Sequence, residues 1–141
     1  MNVTLKKSII TCSIFGIMFF YLMAHFIIVG PNVFQTVRIH MLISKFIIFL
    51  GGASFVIMLI LTKKKSNVFD ERDELIQKQS SMIGLMLTGM FVFIFSMVLY
   101  VYYSDKGSLE VAWVWLIAYS TFSFAYFITS LISVYLYVKY E

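Results

Sequence analysis

The chain has 141 residues, of which 61% are hydrophobic and only 13% charged, with a net charge of +4. A soluble domain carries about 25% charged and roughly 45–50% apolar residues. The excess here falls into four blocks, each near or above the roughly 20 residues that cross about 30 Å of hydrocarbon, which excludes a soluble domain beside the spans. A lone cysteine, Cys12, excludes an intramolecular disulfide or a CxxC redox pair.

The expected fold is all-α, a single four-helix transmembrane domain over 1–141, with spans at about 8–29, 39–62, 82–103 and 111–137. The first block contains no Asp, Glu, Lys or Arg and follows Lys6 and Lys7. That flank resembles a signal peptide, but the apolar run is about 22 residues and no small-x-small site closes it, so a retained helix is expected. Gly30-Pro31-Asn32 ends it with turn chemistry. The second block is interrupted by Lys45, has Gly51-Gly52 near its middle, and stops at Lys63-Lys64-Lys65. The loop 104–110, between the third and fourth blocks, is too short for a domain.

Basic residues set the orientation. With the N-terminus inside, the cytoplasmic side holds Lys6, Lys7, Lys63, Lys64, Lys65, Arg72, Lys78 and Lys139, and the outer side only Arg38 and Lys106. That bias places both termini in the cytoplasm of a plasma-membrane protein. Tyr100, Tyr102, Tyr103, Trp113 and Trp115 cluster around the second outer loop as interface anchors.

Residues 63–81, KKKSNVFDERDELIQKQSS, form the one sizeable polar stretch. Its lysines would attract anionic headgroups. Asp70 suits an N-cap, and Glu71, Asp73 and Glu74 favour the first turn of a helix. Glu74 and Lys78 stand i, i+4 in the favourable order. Leu75, Ile76, Gln79, Met82 and Ile83 continue one face into the third span. Helix 3 is therefore expected to start near Asp70, about two turns before the bilayer, and to run about 34 residues, or roughly 50 Å. The bland account of the segment is a capped, charge-balanced helix start. The sharper one is a docking epitope of Asp70, Glu71, Arg72, Asp73, Glu74 and Lys78.

Lys45 is the costliest residue in the spans, though its stem can snorkel outward. His25 lies at similar depth, so the two could form a polar site in the outer third; the alternative is interfacial anchoring. In the fourth block Tyr119, Ser123, Tyr126, Ser130, Ser133 and Tyr137 are spaced 4, 3, 4, 3, 4, a stripe suited to close helix packing. It would pack within the bundle, form a homodimer seam, or meet a partner's helix. Ser80-x-x-x-Gly84 and Gly51-Gly52 are further expected points of close approach.

Several activities lack their residues. Four-helix multidrug exporters are similar in size but carry a glutamate within helix 1, and no span here contains an acid. Neither His25 nor His40 stands in a zinc-protease motif, and no Gly-rich phosphate loop is present. No enzyme, cofactor, metal or direct nucleic-acid binding is expected.

Asp70-Glu71-Arg72-Asp73-Glu74-Leu75-Ile76 resembles the DERDxxI-type stretch of small prokaryotic four-helix membrane proteins, where it leads from the central cytoplasmic loop into the third helix. Such proteins are often encoded beside small DNA-binding regulators. The resemblance implies a membrane-bound regulator similar to the inhibitory partners of LytTR-type transcription factors, with residues 70–74 as the contact surface. The expected function is sequestration of a soluble transcription regulator. The alternatives are immunity against a membrane-active peptide, which would act through the helices and outer loops, and an accessory transporter subunit, which would use the helix 4 stripe.

Overall fold

The computed structural model describes residues 3–30, 38–63 and 71–140. Four long helices follow in order: α1 (Val3–Val29), α2 (Arg38–Lys63), α3 (Glu71–Tyr103) and α4 (Val111–Lys139). A short 3-10 turn, Ser104–Lys106, precedes the α3–α4 bend. No strand occurs among the described residues. Three stretches, Thr4–Val29, Glu71–Lys106 and Val111–Lys139, are long and apolar enough to cross a membrane.

The helices end where backbone chemistry changes. Gly30 closes α1 at φ +78°, and its N–H donates to the Phe26 carbonyl at 2.9 Å. Glycine takes this left-handed conformation without a Cβ penalty. Pro31 and Asn32, expected in the same turn, lie outside the described residues. Gly107 makes the second left-handed turn, at φ +67°, and Glu110 is extended just before α4. The Glu110 carbonyl then accepts the Trp113 N–H at 3.0 Å, forming the first turn. Helix α3 has 33 residues, with Glu71, Asp73 and Glu74 in its first turn. The expected cap, Asp70, and Lys64 and Lys65 lie outside the described residues.

Helix α4 is the centre of the bundle: α1 and α3 both pack along it, while α2 lies against α1. The α1–α4 seam is built on Phe15, Met18, Leu22, Phe26 and Leu116. Phe91 of α3 stacks on Phe124 of α4 with centroids 4.5 Å apart, and Phe19 of α1 meets both rings. Of the expected close approaches, Gly84 abuts α4, where an added Cβ would lie 3.2 Å from the Cα of Thr129. Gly51 faces Met18 of α1, whereas Gly52 faces open space.

Small hydroxyl residues share the interior with the apolar core, and large apolar side chains also cover the outside. Ser120 and Ser123 are completely buried, while Leu85 and Ile27 are about three-quarters exposed, at 75% and 74%. Apolar side chains outward and small hydroxyls inward is the arrangement that lipid permits and water penalises. Together with the three long apolar helices, it defines a helical membrane protein.

Candidate functional site

The polar residues concentrate at the end of the bundle where α1 and α3 begin and α4 finishes. At the outermost level Asp73 of α3 is buried, only 5% exposed. Its carboxylate accepts the Tyr137 hydroxyl of α4 at 2.7 Å and the Thr4 hydroxyl of α1 at 3.1 Å. One side chain thus joins three helices. Ile76, Leu136 and Tyr137, with Leu5 and Ile132 packed on them, form a small apolar cluster beside the joint. This exclusion of water strengthens charge-assisted hydrogen bonds.

Four residues deeper along α1, about 6 Å at 1.5 Å per residue, Ser8 shares a hydrogen bond with Ser133 of α4 at 3.0 Å. Between these levels and the aromatic core lies a crevice of about 360 Å³ bounded by α1, α3 and α4. Its walls include Lys7, Gln77, Ser81, Thr129 and Ser130. Two of its hydroxyls bond back along their own helices: Thr11 donates to the Lys7 carbonyl at 2.9 Å and Ser80 to the Gln77 carbonyl at 3.0 Å.

Around this polar interior lies an exposed charged face. Glu71, Arg72, Glu74 and Lys78 are all exposed on the first two turns of α3. A groove of about 650 Å³ runs beside them, lined by Glu71, Arg72, Leu75, Ile76, Gln79 and Tyr140. Asp73, expected on the same contact surface, is turned inward instead. The reason is helical phase: Asp73, Ile76 and Ser80 are buried on one face, while Glu74, Leu75, Lys78 and Gln79 between them are exposed. Asp70 lies outside the described residues.

The α4 stripe faces the bundle. Ser123, Ser130 and Ser133 are buried, and Tyr119 and Tyr126 are half-buried. Tyr126 stacks on Phe15 at 4.9 Å. The serines do not behave alike. Ser123 donates to the Tyr119 carbonyl within α4 at 2.8 Å, whereas Ser133 reaches across to Ser8. On the other side of the molecule, His25 is half-buried in α1 and stacks on Tyr21 with centroids 5.5 Å apart. Lys45 is exposed on α2.

At the opposite end, Trp113 donates its indole N–H to the Tyr103 hydroxyl. The Lys106 ammonium sits 4.5 Å from the Tyr102 ring centre and 5.1 Å from that of Tyr103. No group of three His, Cys, Asp or Glu side chains among the described residues could hold a metal ion, and Cys12 is a free, half-buried thiol.

The class defined by these features is a helical membrane protein with a hydroxyl-rich end. No protein-family model, curated protein or solved structure matches the chain. Its function therefore has to be argued from its own residues. The Thr4–Asp73–Tyr137 joint and the crevice were both missed by sequence reasoning. Their signal was present as the polar pairs Ser80-Ser81 and Thr129-Ser130 near helix ends, together with a tyrosine at the last turn of α4.

Proposed function

We propose that the protein is a non-enzymatic, four-span membrane protein whose cytoplasmic end holds a soluble DNA-binding regulator. Helix α2, 26 residues long and ending at the lysine run, serves as the fourth span, and the positive-inside bias puts both termini in the cytoplasm. Helix α3, at 33 residues, is about 50 Å long against about 30 Å of hydrocarbon. Its first turns then project from the membrane as a continuation of the span. A partner meets Glu71, Arg72, Glu74 and Lys78, with the groove at Leu75 and Tyr140 as the apolar part of the contact.

The observation that carries this reading is the division of labour around Asp73. Because Asp73 is held by Thr4 and Tyr137, the neighbouring charged residues are presented on an anchored helix rather than on a loose loop. Pre-ordered contact residues lose less entropy on binding. The contact surface accordingly excludes Asp73, which belongs to the scaffold.

The test is affinity capture with the full chain in detergent, comparing wild type with Glu71→Lys/Glu74→Lys. The reading expects a soluble DNA-binding protein to be retained by wild type and lost from the double variant, with both proteins equally folded. Retention of the same set of proteins by both would remove the charged face from consideration.

A further inference from the structure

We propose that the crevice between α1, α3 and α4 is a binding site for a phosphate group, supplied by the headgroup of an anionic phospholipid. The site is independent of the charged face of α3 described above. Its chemistry is that of an anion receptor. Lys7 is the one charged residue lining it, and the rest of its polar wall consists of hydroxyls and the Gln77 amide. Hydroxyls and an amide can donate to phosphate oxygens, and Lys7 adds a full positive charge.

A second observation separates this crevice from ordinary small-residue helix packing. Ser130 is only 9% exposed and lines the cavity. Among the described residues Ser130 engages no hydrogen-bond partner, unlike Thr11 and Ser80 beside it, and Ser81, also on the wall, is exposed. The Ser130 hydroxyl is not sealed from solvent; it opens onto the crevice, where it is free to donate to an oxygen of a bound ligand. The volume, about 360 Å³, is roughly twelve times the ~30 Å³ share of a water molecule. It accommodates a phosphate together with the ester carbons on either side.

Charge and depth agree with a lipid source. The nearest acid, Asp73, has one carboxylate oxygen bonded to Tyr137 and the other to Thr4. Hydroxyls therefore stand between it and an incoming anion. Ser8 and Ser81 stand where the polar starts of α1 and α3 give way to their apolar runs, the boundary at which headgroups meet hydrocarbon, and Ser133 of α4 is bonded to Ser8 at that level. Basic pockets between transmembrane helices at this level are suited to anionic headgroups.

The experiment uses the purified full chain in detergent and native mass spectrometry to titrate three probes. These are phosphatidylglycerol, a diacylglycerol with the same tails but no phosphate, and inorganic phosphate. The variants are Lys7→Gln, Ser81→Ala and Ser130→Ala, with Lys6→Gln as a control that removes equal charge from an exposed neighbour outside the crevice. Circular dichroism melting confirms that each is folded. Wild type is expected to hold one phosphatidylglycerol and no diacylglycerol. Lys7→Gln should weaken the lipid about tenfold or more, each serine variant severalfold, and Lys6→Gln little. If inorganic phosphate displaces the lipid through the same residues, the site stands and its source is free phosphate. Equal binding by wild type, Lys7→Gln and both serine variants would overturn the proposal. So would a Lys6→Gln loss as large as that of Lys7→Gln.

Discussion

The two ends of the bundle hold the same helices with different chemistry. At the end bearing the start of α1, α1, α3 and α4 are joined by hydrogen bonds: Asp73 to Thr4 and Tyr137, and Ser8 to Ser133. At the end bearing the α3–α4 bend, contact is mainly aromatic, with Phe26 on Trp113 at 5.5 Å and Tyr103 on Trp113 at 5.9 Å, and a single hydrogen bond runs from the Trp113 indole to the Tyr103 hydroxyl. A hydrogen-bonded joint needs particular atoms at particular distances, whereas aromatic packing tolerates sliding. The first end is therefore the better platform for recognition, and the second suits an interfacial anchor.

The largest test of this contrast is Asp73→Ala. It removes the acceptor shared by the Tyr137 and Thr4 hydroxyls, a loss of about 3 kcal/mol. Unfolding of the purified protein in mixed micelles should show it, and Asp73→Asn, which keeps one acceptor oxygen, should lose less. If Asp73→Ala unfolds like wild type, the joint is incidental and the distinction between the ends disappears. Gly84→Ala comes next. Its new Cβ would press on the backbone of Thr129 at 3.2 Å, which a side-chain rotation cannot relieve. Overpacking of that kind costs about 2 kcal/mol, read as a lower melting point. Gly52→Ala, facing open space in α2, is the matched control and should not fall.

Much of the architecture was legible because lipid imposes simple rules. Block length and the absence of charge mark α1, α3 and α4 as helices able to cross a membrane. The acids in the first turn of α3 and the small-residue stripe of α4 were visible as patterns. What those side chains do was not. Asp73 and Glu74 are neighbours of like charge, yet one is buried and the other exposed, because a helix turns about 100° per residue and only Asp73 faces α1 and α4. Sequence spacing gives the phase within a helix but not the direction of its neighbours. For the same reason the crevice was unreadable: Lys7, Ser81 and Ser130 lie on three helices, and no local pattern connects them.

Smaller effects are expected at the aromatic end, and they sharpen the comparison from the other side. Trp113→Phe keeps a ring in place but removes the donor to Tyr103, for a loss of about 1 kcal/mol. Lys106→Gln should change stability least. Its ammonium lies over Tyr102 and Tyr103, yet it is exposed, so water competes for the same charge and the contact contributes about 0.5 kcal/mol. Its effect should shrink further as salt is added, because exposed charges are screened within about 10 Å at 0.1 M. The loss in Asp73→Ala should barely respond to the same salt, since that carboxylate is buried among its partners. Melting curves of the two variants at low and high ionic strength measure this directly. A salt response at Asp73 as large as that at Lys106 would show that the hydrogen-bonded end is as open to water as the aromatic one.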